Sequence, residues 1–146
     1  MIVLDTSIII DSLMPHLGNR HNRALQLLNL LSEKSILVYE PKILLIELAC
    51  VLSRYRGVGE VRNIVNSLSS QFNLLTEDTL FEEAFKIALN THCRAVDAYF
   101  ISAAAITDST LVSNDKVMVL NAKSCNVAAY YFIEDFDGVF RVLEKI

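Results

Sequence analysis

The chain has 146 residues, with 17 acidic against 13 basic side chains, a net charge of −4 and 53% apolar residues. That length fits one domain over residues 1–146, and the acid excess excludes nucleic-acid binding through a broad basic face, though not a nucleic acid reached through a divalent ion that reverses the local sign. Mean hydropathy is +0.38, yet charges interrupt every apolar run short of membrane-spanning length.

MIVLD starts the chain without a basic region or small-residue cleavage site, so the expectation is a soluble cytoplasmic protein with no membrane contact. IVLD (2–5) reads as the first strand, and a short helix after it ends near Pro15 and Gly18. The apolar spacing of 21–33 predicts a helix, ILVY (36–39) a second strand, and Pro41 the start of the next helix. Gly57 and Gly59 interrupt that helix, and 60–70 resumes one. FNLLT (72–76) is a third strand and 78–89 a helix with Asp78 as its cap. A helix over 97–106, a strand at TLVS (110–113), a fifth strand within 126–133 and a closing helix in DGVFRVLEKI complete the order. Strands alternating with helices imply a three-layer α/β/α domain around a parallel sheet of about five strands. Cys50, Cys93 and Cys125 are too widely spaced for a zinc or disulfide framework and read as small core residues.

In such a sheet, ligands bind beyond the carboxyl ends of the strands. Asp5 stands at the end of the first strand, Asp115 just after the fourth, and Asp97 at the opening of a helix. Each also has a capping reading, since Asp favours helix N-termini. Glu47 decides between these readings. It lies in ILLIELACVL, sharing a helical face with Ile43, Leu44, Cys50 and Val51, whereas Lys42, Ser53 and Arg56 mark the solvated side. Its structural alternative is a buried salt bridge; Arg54, two turns on, is about 10 Å away along the axis. Carboxylates gathered in one pocket need a neutralising cation. With no His or Cys among them, the residue types point to Mg²⁺ or Mn²⁺ and to phosphoester chemistry.

With these residues in view, the chain resembles the PIN-domain nucleases, in particular VapC-type toxins, through IVLDTSIIID, IELACVLSR, RAVDAYFISAAA and LVSND. The resemblance implies a Mg²⁺- or Mn²⁺-dependent endoribonuclease in which Asp5, Glu47, Asp97 and Asp115 are catalytic and hold the metal, one ion activating a water and a second steadying the leaving oxygen. Ser7 matches a polar residue that supports the first Asp, Thr6 is placed to do likewise, and Asn114 falls in the turn before the last acid. Lys116, Val117 and Met118 stand where some members carry a further acid. Arg54, Arg94 and Lys116 are candidate phosphate contacts, each with a solvated-charge alternative; Asp11 is a further groove residue or an ordinary N-terminal helix residue. The resemblance also implies an RNA substrate, a homodimer and an antitoxin partner. The apolar surplus fits both protein partners, with 42–55 and 60–70 as interface elements. The competing reading is a non-catalytic PIN-like module that binds RNA or protein. A haloacid-dehalogenase-type phosphatase would need a second Asp where Ser7 stands, and neither it nor a receiver domain explains Glu47.

Overall fold

The structure is a computed structural model that describes residues 1–145. Strand β1 (Ile2–Leu4) leads into α1 (Thr6–Leu13), a 3₁₀ turn (Pro15–Leu17) and α2 (Asn19–Glu33). Then come β2 (Tyr39–Pro41), α3 (Leu44–Leu52), α4 (Val58–Ser69), β3 (Asn73–Leu75), α5 (Glu77–Thr91) and α6 (Ala95–Thr107). The chain closes with β4 (Thr110–Ser113), α7 (Lys116–Ser124), β5 (Ala129–Tyr131) and α8 (Phe136–Leu143). All pairings are parallel, β1-β4-β5 in one sheet and β2-β3 in another. A single bridge, Ile2 to Val38, joins them, so five strands lie in the order β3-β2-β1-β4-β5.

The three-layer expectation holds. Helix α6 packs along β1, β2 and β4 with α5 behind it, while α1 lies against β1 and β4 with α2 and α3 against it. The small residues of AYFISAAA let α6 sit close to the sheet, and it is buried on almost every side. β1 is wholly buried, as a central parallel strand requires. No helix among the described residues is long and apolar enough to cross a membrane.

Several local expectations are corrected. The second strand begins at Tyr39, because the Ile36 amide is used to close α2, donating to Leu31 O at 2.9 Å. Pro41 therefore ends a strand instead of opening a helix. Thr76, not Asp78, caps α5, its hydroxyl accepting from the Thr79 amide. Helix α7 was absent from the sequence reading; Met118, Val119 and Ala122 supply its buried face. Cys50 is exposed and is not a core residue, while Cys93 and Cys125 are half-buried and pack against the core. The closing helix starts at Phe136; Ile146, the last residue of its expected span, lies outside the described residues.

Candidate active site

Parallel pairing sets the position of the first two acids. Leu4 stands beside Val112, and the Asp5 amide donates to Val112 O at 2.9 Å. Both strands thus end on one edge, releasing Asp5 from β1 and Asp115 two residues beyond β4. Neighbours on either side of β1 are reached by opposite chain directions, so this edge is the switch point where such sheets bind ligands. Asp97, in the first turn of α6, arrives from one helical layer and Glu47, from α3, from the other.

Each acid is held by named donors. Ser7 Oγ and Ser113 Oγ both donate to Asp5 Oδ2, at 2.6 and 2.8 Å. Thr6 Oγ1 donates to Glu47 Oε2 at 2.6 Å. Asp115 Oδ1 accepts from the Val117 and Met118 amides at 2.8 and 3.1 Å, so Asp115 caps α7. Arg94 makes a two-toothed bond to Asp97, Nε to Oδ2 at 3.0 Å and Nη2 to Oδ1 at 3.1 Å, and Nη2 also donates to Asp115 Oδ2 at 2.9 Å. Thr6 therefore serves Glu47, not the first Asp as expected, while Ser7 does support Asp5.

The charges repel as they are drawn together. Burial, opposed by the Ser7 and Ser113 hydrogen bonds and reinforced by Asp97, raises the Asp5 carboxyl above its ordinary value. Glu47 is also raised, first by burial and then by Asp5 and Asp97, against the Thr6 hydrogen bond. An open pocket of about 670 Å³ gathers Asp5, Thr6, Ser7, Glu47, Asn114 and Asp115, and Arg20, Arg94 and Lys116 also line it. Arg54 is exposed past the end of α3 and does not line this pocket. Among the described residues no three Asp, Glu, His or Cys side chains are placed to enclose an ion; both oxygens of Asp97 and of Asp115 are bonded to protein donors, whereas Asp5 and Glu47 are bonded through one oxygen each. The donor chemistry, all hard carboxylate oxygen, nonetheless fits a Mg²⁺-like ion.

Three further residues shape the site. Ser113, fully buried, accepts from the Asp115 amide at 2.8 Å while donating to Asp5, tying the two acids together. Asp11 lies in the first helix and also lines the acidic pocket; it is buried, pairs with Arg20 and accepts from Asn114 Nδ2 at 2.8 Å. The Asn114 amide meets Ser7 Oγ at 3.3 Å, so this network fixes the turn before Asp115. Glu40, wholly buried, accepts from the Leu4 amide at 2.8 Å through Oε1. Among the described residues Oε2 has no partner, and burial, with a further push from Asp5, raises the carboxyl well above the ordinary range.

A second concavity, about 510 Å³, lies between α3 and α4 and is lined by Leu45, Ile46, Ala49, Val58, Val61 and Val65. Ile46 and Val58 are largely exposed there.

Comparison places the fold among solved structures. FitAB bound to the IR36 DNA fragment matches at 21% identity and a TM-score of 0.65, over 89% of this chain and 94% of that one. VapBC2 from Rickettsia felis bound to a promoter DNA fragment matches at 18% and 0.66, over 89% and 98%. FitAcB from Neisseria gonorrhoeae matches at 21% and 0.62, over 89% and 96%. No curated protein sequence matches the chain. A PIN-domain family model matches residues 2–123, a span that contains all four acids. On the breadth of that match, the chain belongs to the PIN-domain family.

Proposed function

We propose that this protein is a Mg²⁺- or Mn²⁺-dependent endoribonuclease, the toxin component of a VapBC-type pair. The observation that carries the reading is the convergence of Asp5, Glu47 and Asp115 on one pocket at the sheet switch point, with Asp97 joined to Asp115 through Arg94. These four carboxylates would hold the cation, which when bound acidifies a water and offsets charge on the phosphate.

The chain itself supplies orientation. Ser7 and Ser113 fix Asp5, Thr6 fixes Glu47, and the first amides of α7 fix one oxygen of Asp115. Arg94, Lys116 and Arg20 line the pocket, each paired with an acid (Asp97 and Asp115, Glu134, and Asp11), and would meet a phosphate backbone by exchanging those partners. The α3–α4 groove is suited to an apolar antitoxin segment. The likeness to the FitAB and VapBC2 complexes supports such a partner. A second exposed stripe, Phe81, Phe85 and Leu89 on α5, is suited to another copy of this chain.

The test is cleavage of a mixed structured RNA pool by purified protein with Mg²⁺ or Mn²⁺, with EDTA and with Asp97→Asn. Metal-dependent cutting lost in both controls supports the nuclease. Saturable metal binding without turnover would support the non-catalytic binding module.

A further inference from the structure

Oxygen by oxygen, the acidic centre is unevenly engaged. Both oxygens of Asp97 are bonded to Arg94. Asp115 gives Oδ2 to Arg94 and Oδ1 to the α7 amides. By contrast, Asp5 receives its two hydroxyls on Oδ2 alone and Glu47 its one on Oε2. Asp97 and Asp115 can therefore contribute an outward-facing oxygen to a metal only where Arg94 lets go.

Arg94 is suited to letting go. It is the N-cap residue of α6 but makes no capping bond with its side chain, which is 73% exposed and, among the described residues, anchored only by these carboxylates. Exposed ion pairs of this kind are weak, even when the geometry is two-toothed. A divalent ion brings twice the charge to the same oxygens and gains Asp5 and Glu47 as well, so it wins the exchange.

We propose that Arg94 is an exchangeable internal counter-ion: it neutralises Asp97 and Asp115 in the metal-free protein, competes with the metal for their oxygens, and once displaced pairs with a substrate phosphate from the pocket rim. The inference rests on the metal-dependent nuclease reading above. It predicts effects of opposite sign from one substitution, which a merely structural arginine would not produce.

The experiment is calorimetric Mn²⁺ titration of RNA-free wild type, Arg94→Ala, Arg94→Lys and Asp97→Asn, with melting curves to confirm folding. Arg94→Ala is expected to bind Mn²⁺ about two- to fivefold more tightly, the scale set by one released exposed pair. Arg94→Lys, which keeps the charge without the fork, falls between, and Asp97→Asn loses binding. At saturating Mn²⁺, Arg94→Ala should raise KM for RNA more than it lowers kcat. Wild-type binding that is unchanged or weaker in Arg94→Ala overturns the competition while leaving the metal centre standing. No saturable binding in either protein overturns both, and an unchanged KM overturns the phosphate role.

Discussion

The Thr6 hydroxyl donates to Glu47 Oε2 at 2.6 Å, joining the first residue of α1 to the middle of α3. This short bond explains how a carboxylate is tolerated in the apolar run ILLIELACVL: one oxygen is satisfied by the neighbouring helix and the other is left toward the pocket. Thr6→Val keeps the shape and removes the donor. RNA cleavage should fall about 10- to 100-fold, as for other residues that orient a metal-binding side chain, with little change in melting temperature. Thr6→Ser should retain most activity. Parallel rate and melting measurements check this.

Ser113 is bonded to both strand-end acids, as donor to Asp5 and acceptor for the Asp115 amide. Ser113→Ala leaves that part-buried amide unpaired and Asp5 held by Ser7 alone. The expected loss is about 1–3 kcal/mol of stability, read from urea unfolding midpoints, together with a loss of cleavage at saturating metal.

Asp11 anchors the turn that carries Asp115. Asp11→Ala removes three charge-assisted hydrogen bonds around a buried carboxylate. Arg20 is half exposed and can return to water, so the cost should be about 2–3 kcal/mol, below that of a wholly buried pair. Denaturant titration measures it directly.

Glu40 gives the fold a pH dependence. Its raised carboxyl lets the native chain keep a proton that the unfolded chain releases. Its contribution to stability is therefore full below the ordinary glutamate value of 4.5 and is lost as pH rises through the raised folded value. Glu40→Gln keeps an acceptor for the Leu4 amide and removes the titration. Its unfolding midpoint should decline less steeply than that of wild type as pH rises from 4.5 toward neutrality. The slope will not vanish, because Asp5 and Glu47 are raised as well.

The features visible in sequence are those fixed by local pattern. The strand-end placement of Asp5 and Asp115 and the apolar surround of Glu47 follow from periodicity and chain order. The supporting bonds join residues far apart in the chain, as Ser113 joins Asp5 and Asn114 joins Asp11. No local signal reports such partners, so Ser113 and Glu40 carry no mark in the sequence and Asp11 shows as a candidate groove residue without its partners. Helix α7 was hidden for another reason: KVMVLNAKS carries exposed Val117 and Leu120 beside buried Met118 and Val119, which blurs the helical stripe. Arg94 was legible as a rim cation, but its bonds to two of the four acids were not.

The most direct test of the four-acid centre is Mn²⁺-dependent cleavage of one RNA substrate by wild type, Asp5→Asn, Glu47→Gln, Asp97→Asn and Asp115→Asn, each shown by melting to be folded. Every substitution should reduce the rate by about 100-fold or more, the scale of losing a principal charge-stabilising group. A folded Glu47→Gln or Asp5→Asn protein that cuts at the wild-type rate would contradict the shared metal centre.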